Sequence, residues 1–72
     1  GIKVHTVVNA DEIVPEMEIC IYDVSGRLLK TQFFYNSRTV TLDYSSLSSG
    51  TYFLQLLNVV KGEEKQLLVI KK

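Results

Sequence analysis

The segment EMEICIY, residues 16 to 22, sorts its side chains one by one: Met17, Ile19 and Ile21 fall on one side, Glu16, Glu18, Cys20 and Tyr22 on the other. A period of two is the signature of a pleated strand half sunk in a core, because successive Cβ atoms point to opposite faces. The rest of the chain keeps that period. IKVHTVV at 2 to 8 puts Ile2, Val4, Thr6 and Val8 on one face and Lys3, His5 and Val7 on the other. RLLKTQFFY continues an inner face through Leu29, Thr31 and Phe33, TVTLDY through Val40 and Leu42, and TYFLQLL through Tyr52, Leu54 and Leu56; KQLLVIKK closes the chain. No segment repeats its apolar residues every three to four positions over three turns, so no helix is expected.

Turn residues separate these runs. DVSGR at 23 to 27 offers Asp, Ser and Gly, which bond their own backbone or accept positive φ, and predicts a hairpin. NSR at 36 to 38 predicts another reversal and KGEE at 61 to 64 the last one. NADEIVPE reads as a connection, with Pro15 arguing against a central ladder position. The fold expected is all-β, a small immunoglobulin-like antiparallel β-sandwich of six strands, or seven if NADEIVPE contributes one, as a single domain over residues 1–72.

LSSGTYFLQL, residues 47 to 56, fits such a sandwich. Leu47 plugs the core from the loop, Gly50 lets the chain turn without a Cβ, and Tyr52 buries its ring while its hydroxyl returns to a backbone group a few residues upstream.

Composition narrows the partners. Eight Lys and Arg balance eight Asp and Glu, so the net field that draws nucleic acid or anionic membranes is missing, and neither is expected as a partner. The apolar runs stop at three or four residues, as in LLVI at 67 to 70, where a membrane helix needs about 20; membrane insertion is not expected. No basic-then-apolar leader opens the chain, and the start at Gly1 suggests a piece of a longer protein.

The raw material for catalysis is thin. His5 is the only histidine, on the expected outer face of its strand, with no nucleophile motif around it. Cys20 lacks a second cysteine, and the strand offers it no histidine. Asp11, Glu12, Glu16 and Glu18 lack the spacing and the glycine of a calcium loop, and DVSGR cradles no phosphate. No catalytic residue, metal or cofactor is expected. Apolar residues on outer faces say more: Leu28, Phe34, Phe53 and Leu57, with either Leu67 and Val69 or Leu68 and Ile70, predict an interface and a tendency to form a homodimer.

The order IYDVSGRLLK, TVTLDYSSLSSGTYFLQL and KQLLVIKK resembles the C-terminal sorting domain, of type A, of cargo exported by the type IX secretion system of Bacteroidetes. The likeness spans roughly residues 17 to 72. It rests on Ile21, Tyr22, Asp23, Gly26 and Arg27, then on Leu42, Leu47, Gly50 and Tyr52, then on Lys65, Leu68, Val69, Ile70 and Lys71. The resemblance implies a non-catalytic sorting signal that travels behind an N-terminal cargo domain, is recognised by the translocon, its shuttle and sortase-like components, and is removed as the cargo reaches the cell surface. Leu47, Gly50, Tyr52, Leu68, Val69, Ile70, Lys71 and Lys72 are the positions implied for recognition, with Asp23, Gly26 and Arg27 as framework. The family's Pro-Asn-Pro-like segment and cleavage region are not present, so the chain is expected to start after both. The alternative is a fibronectin-like or carbohydrate-binding accessory module, for which Phe34 and Phe53 are the candidate aromatic platform.

Overall fold

The computed structural model describes residues 5–43 and 45–71, with side chains from Ala10 onward. Four strands carry it: β1 (His5–Asp23), β2 (Leu28–Asp43), β3 (Gly50–Asn58) and β4 (Glu63–Lys71). All neighbours are antiparallel, in the spatial order β2-β1-β3-β4. The proposed strand at the front and the reading of Tyr44 and Lys72 fall partly or wholly outside the described residues.

The turns form where the sequence places them. Asp23 Oδ1 accepts from the amides of Ser25 and Arg27 at 3.0 Å each and from the Ser25 hydroxyl at 2.6 Å, while Gly26 takes φ 86°. That carboxylate replaces water for three donors at once and fixes the β1–β2 hairpin. At the β3–β4 turn the Gly62 amide donates to the Asn58 carbonyl at 2.8 Å, with Gly62 at φ 69°. A left-handed turn residue is needed at both places, and glycine reaches it without a Cβ penalty.

The strand count differs from six or seven because two predicted breaks are not breaks. NADEIVPE lies within β1, and NSR within β2. Between the pairs Asn9↔Thr39 and Val14↔Ser37, β1 advances five residues while β2 advances two. The surplus is a large bulge, and Asn36 beside it sits at φ 49°; bulges bend and over-twist a ribbon without ending it. Pro15 falls there, where β1 has β2 on one side and β3 pairing has not begun, so its missing N–H interrupts no central ladder.

The bend turns one ribbon into two layers. Lys30 Nζ lies 3.5 Å from the carbonyl of Asp43, although thirteen residues of straight strand would separate them by about 43 Å at ~3.3 Å per residue. The far end of β1–β2 therefore folds back over the sheet and delivers Val40 and Leu42 to the same core as Ile19, Ile21, Tyr52, Leu54 and Leu56. Ile19, Ile21, Leu42 and Leu54 are fully buried, and no charged or polar residue is buried among the described residues. Burial of this kind contributes roughly 1.5–3 kcal/mol per large aliphatic side chain, which is what a chain this short has to offset its backbone entropy.

The inner face of β2 corrects the sequence reading. Ile21 pairs with Lys30 but Tyr22 pairs with Leu28, so Leu29 is an extra residue in the ladder. After that slip Gln32 and Phe34 face inward, and Thr31 and Phe33 face out. Leu29 still packs against the core, as does Phe34, which the alternation had placed outside. A one-residue register change moves every later side chain to the other face.

Candidate functional site

The loop from β2 to β3 and the end of β4 form one knot. The chain must pass from the edge strand β2 across the open end of the core to β3, because β1 lies between them. Its first turn is held by Asp43, whose Oδ1 accepts from the Ser45 amide at 2.9 Å. Leu47 then dips against the core, as expected. Tyr52 is buried, and its hydroxyl donates to the Ser48 carbonyl four residues upstream at 2.5 Å. Gly50 takes φ 155°, a backbone region that side chains disfavour, and a Cβ there would meet only the Tyr52 ring at ordinary contact distance. The glycine is required by its dihedral and not by crowding.

Lys71 is placed differently from a free recognition charge. It sits opposite Gly50 on the inner face of β4, and its ammonium donates to the Ser45 carbonyl at 3.0 Å and to the Leu47 carbonyl. With Tyr52 it satisfies three carbonyls of the loop, at Ser45, Leu47 and Ser48. The last described residue of the closing strand thus holds the loop that opens β3. Nothing in the local pattern of KQLLVIKK could reveal this, since the partners lie 24 and 26 residues away.

Along β4, Leu67 and Val69 turn toward the core while Leu68 and Ile70 are 60% and 65% exposed. Among the described residues β4 pairs only with β3, so it stands at the edge of the sheet. The candidates for recognition therefore divide into core groups, Leu47, Tyr52 and Val69, and displayed groups, Leu68 and Ile70. Gly50 and Lys71 hold the loop, and Lys72 lies outside the described residues.

The Asp23 turn is framework. Arg27 Nε donates to Asp23 Oδ2 at 3.1 Å, and the Ser25 hydroxyl, the Arg27 amide, the Ser25 amide and the Arg27 charge together hold the Asp23 carboxyl below its ordinary range. At the other end, Lys61 Nζ donates to Glu12, which lowers Glu12 and raises Lys61 through that hydrogen bond and then through charge attraction. This pair clips the β3–β4 turn to the bulge of β1. It gives Glu12 a structural partner in place of a cation.

The remaining candidates do not converge. The backbone of His5 pairs with Asp43, and its side chain lies outside those described. Cys20 is nearly buried on the outer face of the sheet, its Sγ 3.4 Å from Glu18 Oε1 and 3.7 Å from Thr31 Oγ1. No three His, Cys, Asp or Glu side chains gather as a metal site among the described residues, and no helix there is long and apolar enough to cross a membrane. Phe34 and Phe53 face opposite sides of the sheet, so they make no platform together; among the described residues the outward aromatics are Phe33, Tyr35, Tyr22 and Phe53. A cleft of about 300 Å³ beside the bulge is lined by Asp11, Met17, Leu56, Glu63 and Lys65 among others.

With this frame in place, a match to one family model becomes informative. Residues 2–71 match the family described as the secretion system C-terminal sorting domain, nearly the whole chain. The chain belongs to that family. No curated protein and no solved structure matches it. For a sorting domain of the type IX secretion system, the Tyr52 corner, the Asp23 turn and the closing strand are the parts of the family pattern on which the sequence resemblance rested. In the structure they meet at one end of the sheet: Asp23 and Tyr52 pair across β1 and β3, and β4 brings Lys71 to the same end.

Proposed function

We propose that this sorting domain directs a cargo protein through the type IX secretion system to the cell surface, and that the export machinery engages β4 along its unpaired side. The observation that carries the second part is the place of β4 at the edge of the sheet. An edge strand offers a row of free N–H and C=O groups, to which an extended segment of a partner adds by ordinary ladder bonds. Leu68 and Ile70, displayed on the outer face, supply the side chains that give such pairing its selectivity. The translocon and its shuttle are the partners this reading assigns, with a sortase-like component removing the domain afterward; the cargo lies ahead of residue 1.

The test is a fusion of residues 1–72 to an inert reporter in a cell competent for type IX export. The wild-type fusion reaches the surface, and a fusion lacking β4 does not. Two single variants, Q66P and L67P, refine it. Successive amides in a strand point to opposite sides, so one of the two prolines spares the β3 ladder and removes a free edge donor. That variant folds and fails to be exported. If it is delivered like the wild type, engagement along the edge is wrong; if the wild-type fusion stays inside, the sorting role of this chain is wrong.

A further inference from the structure

The outer face of the sheet has a composition that the core and the edge do not explain. One row crosses all four strands in register: Leu28, Tyr22, Phe53 and Leu68. Ile70 adjoins it one step along β4. Leu28, Phe53, Leu68 and Ile70 are 51%, 43%, 60% and 65% exposed. Two residues back along β1 lies a row of Thr31, Cys20, Gln55 and Gln66, and beyond it one of Phe33, Glu18, Leu57 and Glu64, with Glu16 opposite Tyr35. Tyr22, Cys20, Glu18, Gln55, Leu57 and Glu64 line a shallow groove of about 100 Å³. Among the outward positions of these rows, over residues 16–22, 28–35, 51–57 and 64–70, there are three glutamates, Glu16, Glu18 and Glu64, and no lysine or arginine. In a chain with no net charge this is a segregated acidic field. Partial burial, then Cys20, Glu18 and Glu64, raise the Tyr22 hydroxyl.

An apolar row of this extent is a surface that a partner can cover, and the charges around it decide which partner fits. A second copy meets this face poorly. Copies stacked on the apolar row alone would share about four strands by two rows, roughly 300 Å² each at ~4.8 Å between strands and ~7 Å between rows. A stable interface needs about 800 Å² per partner. Any larger overlap brings carboxylates against carboxylates, or against Leu and Phe with no countercharge, and an unpaired buried carboxylate is costly. A partner with Lys or Arg beside its apolar residues uses the whole face. We infer that the outer face of the sheet is a second docking surface, meeting the β4 edge at Leu68 and Ile70 and extending beyond it across β3 and β1, for a protein segment that presents apolar side chains flanked by Arg or Lys, its cations facing Glu18 and Glu64 and its apolar residues seated on Phe53 and Leu68.

The test uses the 72-residue chain and two synthetic peptides that share alternating Leu residues and differ only in carrying Arg or Glu between them, titrated while amide resonances are followed by NMR. The Arg peptide shifts Glu18, Tyr22, Phe53, Gln55 and Leu68. Its affinity falls about tenfold in E18Q/E64Q, falls in L68S/I70S, and weakens severalfold as salt rises from about 0.05 to about 0.5 M. E18Q/E64Q keeps size and polarity at exposed or half-exposed sites, so the fold survives even if L68S/I70S proves weak. Equal binding of the Glu peptide overturns the inference, as do shifts confined to the β4 edge or an affinity unchanged in E18Q/E64Q. Concentration-dependent shifts of the same residues without peptide also overturn it, by assigning the face to a second copy.

Discussion

Tyr52→Phe isolates one hydrogen bond from one ring. The ring is 8% exposed and stays in the core; only the donor to the Ser48 carbonyl is lost. A net intramolecular hydrogen bond contributes about 1 kcal/mol, and a stranded buried acceptor costs more. Ser48 is exposed, so water can reach its carbonyl once the phenol is gone, and the loss should stay near about 1 kcal/mol. For a domain of this size that lowers the thermal midpoint by about 4–8 °C. Tyr52→Ala removes the ring as well and costs about 3–5 kcal/mol, enough to unfold a small domain. Urea titration and thermal melting followed by circular dichroism read both. Because Lys71 holds the same loop, Tyr52→Phe combined with Lys71→Met should depart from additivity by at least about 0.5 kcal/mol. An unchanged midpoint in Tyr52→Phe, or a loss as large as that of Tyr52→Ala, would refute the role given to the hydroxyl.

Three further changes test other parts of the frame. Gly50→Ala should destabilise by about 1–3 kcal/mol through its dihedral alone, since no atom crowds the new methyl; a melt unchanged from wild type would show the backbone relaxing freely. Asp23→Asn should weaken the domain at neutral pH, and the gap should close in acid: the folded carboxyl titrates below the ordinary 3.8, so its stabilisation is fully present above that value and disappears as pH falls through the lower folded pKa. Stability measured against pH for both chains reads this, and a gap that widens in acid has the wrong sign. Gln32→Leu should stabilise by about 1 kcal/mol, because the Gln32 amide oxygen is buried on the inner face without a partner among the described residues; a lower midpoint in urea would mean that the amide is satisfied after all.

What could be read from the sequence was what is decided locally. Alternation in EMEICIY and TYFLQLL gave the inner sets Met17, Ile19, Ile21 and Tyr52, Leu54, Leu56, all of them buried. Asp23 and Gly26 announced their hairpin, and Leu47, Gly50 and Tyr52 announced the corner, because each acts within a few residues of itself. The rest depends on partners far along the chain. Leu29 enters the ladder as an extra residue only because of how β1 twists past it, and that slip exchanged the faces of Phe33 and Phe34. The NSR and NADEIVPE segments carry turn chemistry, yet the ribbon spends it on a bulge and a bend. Lys71 looks like a solvated terminal cation until the fold brings two carbonyls to it.

The bent ribbon also decides how tension would pass through the molecule. A tug from whatever precedes residue 5 meets a length of β1 whose ladder runs to β2 alone, with the Glu12–Lys61 pair and the bond from the Val59 amide to the Glu16 carbonyl as its ties to the far turn, whereas the stretch from Met17 to Asp23 has ladder neighbours on both sides. The first part peels at small force and the second resists, so an optical-trap pull on the N-terminal end should yield in two steps rather than one. Tension from that side is taken up at the bulge before it reaches the ladder between β3 and β4.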